Sequence, residues 1–251
     1  LLITFRADMK MTKSLVFTLV LVVIAAFIHI YANDSTRVEN QYSTGFYPTF
    51  SRMLRYSFGW LPFSMGDVLY GLVILWLIWK LVKGIKIIFK RQATLAGFAA
   101  GAGKALRILL VVYIIFNLFW GINYNRVGIA SQLQLKMEKY QPDDLKMING
   151  LLVEKVNTAK LALVKQHVQY PSKKQLFVKV QDAYKEAEKM YPFLKYHPVS
   201  LKPSVWSWVG NYMGFTGYYN PFTGEAQVNT LVPKFLQPFT SCHEVAHQLG
   251  Y

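Results

Sequence analysis

Three apolar blocks in the first half, a charge bias around them, and a Gly-, Pro- and aromatic-rich stretch ending in paired histidines predict the fold class. It is a membrane α-helical N-terminal half joined to an α+β C-terminal domain. The chain has 251 residues, 53% hydrophobic and 16% charged, which excludes disorder. The Gly and Pro counts, 16 and 10, exclude collagen-like sequence. Cys242 is the single cysteine, so no intramolecular disulfide holds the fold.

The first block, Leu15 to Ala32, is almost unbroken and follows Lys10 and Lys13. It just reaches the roughly 17–25 residues a helix needs to cross the hydrocarbon. Its exit, Ile30-Tyr31-Ala32, is too bulky for signal cleavage, so a retained span is expected. A second span is expected from about Met65 to Val82 and a third from about Ala105 to Tyr124. Trp60, Trp79, Trp120 and Tyr124 lie at their ends, where amphipathic rings favour the headgroup layer. Buried core helices are the alternative, and three such blocks in succession weigh against it.

Charge position orients these spans. Lys80, Lys83, Lys86, Lys90, Arg91, Lys104 and Arg107 lie between the second and third with no acid among them. The loop from Asn33 to Gly66 has Arg37, Arg52 and Arg55 against Asp34 and Glu39. The positive-inside bias puts the N-terminus and the second loop in the cytoplasm, and everything after Tyr124 outside it. In a bacterial inner membrane that is the periplasmic side. The formal charge of +15 is thereby explained by topology, with the lipid bilayer as partner and no nucleic acid.

A domain boundary is expected at 124/125. Beyond it, Pro142-Asp143-Asp144 starts a helix predicted to run to about Gln166, with Leu145, Ile148, Leu152, Val156, Ala159 and Leu163 at helical spacing. Ser172 caps a second helix to about Tyr191. After Pro192 the periodicity is lost. Asn220-Pro221-Phe222-Thr223-Gly224 has turn chemistry, flanked by candidate strands 215–220 and 225–230.

The residues that carry chemistry are His243-Glu244-Val245-Ala246-His247. Histidines at i and i+4 share one helical face and can both reach a tetrahedral zinc ion. Glu244, beside the first ligand, is placed to act as general base on water. A capping box, Ser241 to Glu244, is the competing structural use of the same carboxylate. Cys242 points elsewhere on the helix and reads as a small buried thiol.

This pattern resembles the zincin metallopeptidases. The whole chain resembles a family of uncharacterised bacterial membrane proteins catalogued as domain of unknown function 3810. That resemblance is carried by Tyr47-Pro48, Leu61-Pro62-Phe63-Ser64-Met65-Gly66-Asp67, Trp120-Gly121-Ile122-Asn123-Tyr124, the run from Gly217 to Ala226 and the terminal histidine motif. Likeness to zincins implies a zincin-like C-terminal domain, His243 and His247 as zinc ligands, Glu244 as general base, and a peptide or protein substrate. It also implies that the strand residues Ala226, Gln227, Val228 and Asn229 bind that substrate by strand addition.

Zincins take a third protein ligand downstream, and here it is expected beyond residue 251, because His197 and Glu225 have no recommending spacing. The sequence reads as a fragment: residues 1–8 precede the natural start, and the chain stops four residues after the motif. The 251-residue form is accordingly expected to bind zinc weakly and to be inactive. The expected function of the intact protein is a membrane-anchored zinc-dependent hydrolase, most simply a peptidase. The alternative is a non-enzymatic envelope protein whose aromatic 204–224 segment binds a partner or a lipid surface.

Overall fold

A computed structural model describes residues 2–135, 139–167 and 169–251, with side chains from Lys13 onward. The chain is mostly helical, with one small sheet. Among the described residues, two helices are long and apolar enough to cross a membrane, at Lys13–Ala32 and Leu95–Phe119. The first is the apolar part of α1 (Leu2–Ala32). The second is α5 (Leu95–Phe119), whose Thr94 hydroxyl caps the Gly97 amide.

Between them come α2 (Ser35–Arg37), a π-helical segment (Val38–Phe46), α3 (Tyr47–Phe58) and α4 (Met65–Phe89). The expected second span lies in α4, which extends seven residues past Val82. Lys80 and Lys83 fold back over the Trp79 ring at 4.8 and 5.4 Å, so their charges sit against an aromatic face.

Two expectations near the third span are corrected. The helix starts at Leu95 rather than near 105 and ends at Phe119, and residues 121–125 form a short 3-10 turn. Trp120 is no headgroup anchor: it is 7% exposed and belongs to a core cluster with Leu21, Ile28, Val38, Tyr42, Tyr47, Ile114 and Ile122. The helix ends there because the Trp120 indole is committed to a carbonyl described below, and the Asn123 side chain accepts from the Ser43 hydroxyl at 2.8 Å.

Two compact units are formed. One comprises residues 1–127 with 180–251, and the other residues 128–179. The latter holds α6 (Ile129–Gln132), α7 (Pro142–Lys165) and the start of α8 (Lys173–Met190). α7 and α8 fall within a residue or two of their predicted bounds. Asp144 closes back on the Gln141 amide at 2.8 Å, and Ser172 receives the Gln175 amide.

In the larger unit follow β1 (Leu201–Pro203), α9 (Ser207–Met213), β2 (Gly217–Asn220), β3 (Glu225–Val228) and α10 (Gln237–Gln248). β2 and β3 are the expected hairpin, closed by Gly224 N–H on the Asn220 carbonyl at 2.9 Å. The Asn220 side-chain oxygen accepts the amides of Phe222 and Thr223, the local bonding that makes Asn a turn former. β1 adds to the other side of β3 in parallel, giving the order β1-β3-β2, and α10 packs on the sheet.

Candidate metal centre

Pro238 fits the first turn of α10, where a missing N–H costs nothing, and the helix carries its histidines on the fifth and ninth residues after it. Ser241 is already inside the helix and donates to the Gln237 carbonyl at 2.7 Å, so the capping-box use of Glu244 does not occur. The spacing of one helical turn brings His243 Nε2 and His247 Nε2 to 3.1 Å. Two imidazole nitrogens on one tetrahedral zinc stand roughly 3.3 Å apart, given bonds of about 2.0–2.1 Å. The pair therefore fits two corners of such a site. Among the described residues no group of three His, Cys, Asp or Glu forms a cation site.

His247 is fixed from behind. Its Nδ1 lies 2.5 Å from the Tyr251 carbonyl, which holds the proton on Nδ1 and leaves Nε2 with its lone pair. Burial lowers the His247 pKa, the Tyr251 carbonyl opposes this, and the neighbouring His243 lowers it further, so the neutral, ligating form is favoured. The Trp120 ring meets the imidazole edge-on at 5.6 Å, and Phe239 stacks on His243 at 6.1 Å.

Glu244 is 4% exposed, and burial pushes its carboxyl up to about 8. A dication beside it would act in the opposite sense. Its place depends on Gly217: a Cβ there would stand 2.8 Å from Glu244 Cγ and Oε1 and 2.7 Å from Thr240 Cγ2. Only glycine lets β2 approach α10 this closely. A cleft of about 270 Å³ opens on the motif, walled by Phe116, Trp120 and Tyr124 and by Gly217–Tyr219. Glu244 thus packs against the strand and lines the same cleft as the two imidazoles.

The C-terminal carbonyls of α10 are held by residues distant in sequence. The His247 carbonyl accepts Trp120 Nε1 at 2.8 Å and the Tyr47 hydroxyl at 3.3 Å. The Gln248 carbonyl accepts from Tyr47, Ser51 and Arg55 at 3.2, 2.7 and 3.0 Å. Donors and a cation at a helix C-terminus satisfy its orphan acceptors and complement its dipole.

The four strand residues expected to bind substrate are placed otherwise. Ala226, Gln227 and Val228 pair with β1 on one side and β2 on the other, and Asn229 donates its amide to the Thr216 carbonyl. All four are at most 1% exposed. β3 is central and has no edge for an added strand. Its position in sequence showed a strand, and β1, which covers its other side, gave no signal.

β2 is an edge strand of the sheet, as β1 is on the opposite side. Ala226 N–H goes to Ser200 on the β1 side, so Gln227 and its partner Tyr218 bond to each other. The ladder alternation then turns the backbone groups of Gly217 and Tyr219 outward. The hydroxyls of Tyr218 and Tyr219 are engaged: Tyr218 with Asp67 and Ser204, Tyr219 with Tyr47. Both residues line the cleft, and the Tyr219 ring packs against Trp120.

Of the upstream residues weighed as ligands, Glu225 is fully buried and ion-paired to Lys202 at 2.8 Å. His197 lines a different cavity. Cys242 is half-buried, with its thiol pKa raised by burial, and its carbonyl accepts the Tyr184 hydroxyl at 2.8 Å.

Residues 42–251 match a family described as "Protein of unknown function (DUF3810)". No curated protein and no solved structure matches the chain.

Proposed function

The chain belongs to the DUF3810 family, and we propose that it is a membrane-anchored zinc-dependent hydrolase, most simply a peptidase. The observation that carries this reading is the 3.1 Å approach of the two Nε2 atoms beside a buried glutamate in a cleft. His243 and His247 would hold the metal, together with a third donor in addition to the described residues. Zinc, when bound there, supplies Lewis acidity toward a carbonyl and toward water.

The chain's own residues do the rest. Glu244 accepts a proton from water and returns it to the leaving amine. The outward backbone groups of Gly217 and Tyr219 pair with an extended peptide, replacing the role expected of residues 226–229. Phe116, Trp120 and Tyr124 form an apolar wall for its side chains and restrict water. The Tyr251 carbonyl keeps His247 in its ligating tautomer.

We read α4 as a third span beside α1 and α5, with the site on the extracytoplasmic side of a bacterial inner membrane. The basic segment between Lys80 and Arg107 supports this orientation. A second reading, a non-enzymatic envelope protein, is favoured by one feature: Trp208, Tyr212 and Met213 of α9 are 57%, 88% and 70% exposed, as a partner- or lipid-binding surface would be.

Metal analysis and peptide hydrolysis on the purified intact protein, rather than on the 251-residue form, separate the two. Expected are one zinc per chain in the wild type, none in His243→Ala, and zinc without hydrolysis in Glu244→Gln. A wild-type protein that takes up no zinc would sink the hydrolase reading.

A further inference from the structure

A second cavity, of about 250 Å³, lies between α3, the C-terminal end of α10 and the segment 192–197, and it does not depend on the zinc reading. Its charged lining is almost all basic: Arg52, Arg55, Arg126 and Lys195, with His197 at the same wall.

Arg126 is neutralised by a two-pronged pair with Glu39 at 2.9 and 2.6 Å. Lys195 is exposed and stands 3.8 Å from Glu188. Arg55 differs from both. It is 3% exposed, it donates only to neutral oxygens (those of Pro198, Ser51 and Gln248), and its Nη2 has no hydrogen bond among the described residues. No carboxylate among the described residues lies within ion-pair distance of it. Arg52, one helical turn before it, is exposed and makes no hydrogen bond or ion pair among the described residues, and the two like charges repel.

A buried guanidinium without a counter-charge is costly, and buried charges are ordinarily paired. The Gln248 carbonyl at the end of α10 and the Tyr196 ring at 5.8 Å offset part of the Arg55 charge. Its open Nη2 and the Arg52 guanidinium, neither ion-paired to a carboxylate among the described residues, still match a doubly charged, multi-oxygen anion better than a single carboxylate. We infer that the Arg52–Arg55 cavity binds a phosphate group, either of a soluble phosphate compound or of a phospholipid headgroup.

The chain, purified in an uncharged maltoside detergent, is titrated calorimetrically with inorganic phosphate and, separately, with phosphatidylglycerol. Saturable binding is expected for at least one, weakened at least tenfold in Arg52→Ala. Phosphate alone binding assigns a soluble ligand, and phosphatidylglycerol alone binding assigns a headgroup. Arg55→Lys should weaken binding similarly. If it does not fold, Arg52→Ala, on the surface, decides by itself. No saturable binding of either probe at millimolar concentration, or equal binding in wild type and Arg52→Ala, overturns the assignment.

Discussion

Glu225, the first residue of the central strand, accepts the backbone N–H of Gly66 at 2.5 Å, and that of Met65 at 3.1 Å, at the opening of α4. A carboxylate here complements the positive end of the helix dipole. Its charge is balanced by Lys202, whose ammonium also donates to the Phe58 and Phe63 carbonyls at 2.7 and 2.8 Å. Ser64 and Thr223 fill the remaining lone pairs. The sheet that carries the cleft wall is thereby fastened to the start of a long apolar helix.

That junction predicts an asymmetry. Glu225→Gln strands a buried ammonium and should cost about 3–5 kcal/mol. Lys202→Met leaves the carboxylate with its amide and hydroxyl donors and should cost less. Thermal melts of both variants in detergent read the difference; equal losses would mean that the helix-end donors contribute nothing.

Gly217→Ala tests the approach of β2 to α10. The added methyl meets Thr240 Cγ2 and the Glu244 side chain below 3 Å, so overpacking of about 1–3 kcal/mol is expected. Because the clash falls on Glu244, any hydrolysis should fall further than stability does. A variant that keeps wild-type stability would show that the strand has room to move.

The hairpin and the histidine pair were legible because their signals are local: turn residues within five positions, and ligands one helical turn apart. What the sequence hid was non-local. Tyr47 and Gln248 meet across 201 residues, and β1 has three residues including a Pro, too short and too unlike a strand to announce itself. Without β1, the central strand reads as an edge. Trp120 was misplaced for a related reason: residue type gives a preference for the membrane interface, whereas its indole is consumed by the His247 carbonyl. The sequence runs that carried the family resemblance turn out to be the parts of these junctions. Residues 61–67 meet 217–226 at the base of α4, and Tyr47 and Trp120 meet the end of α10.

Zinc should stabilise the folded intact protein by mass action. After chelator stripping, readdition at about 100 times Kd is expected to raise stability by about 2.7 kcal/mol. His243→Ala should abolish the gain and Glu244→Gln should retain it, since the latter keeps both imidazoles. Melting curves with and without zinc give the answer; a gain that survives His243→Ala would place the ion elsewhere.

Arg126 positions His247 without touching it. Its Nη1 donates to the Gly250 carbonyl at 2.9 Å and its guanidinium covers the Tyr251 ring at 4.1 Å, so it holds the residue whose carbonyl fixes His247 Nδ1. Arg126→Lys keeps a charge for Glu39 but loses the fork that reaches both partners. Loosening the support of a ligand typically costs about 10–100-fold in metal affinity, and the lower part of that range is expected here because Tyr251 itself remains. A chelator competition titration measures it, with circular dichroism as the control for folding. A merely structural Arg126 would change the melting temperature and leave the zinc Kd where it was, and that result would remove Arg126 from the site.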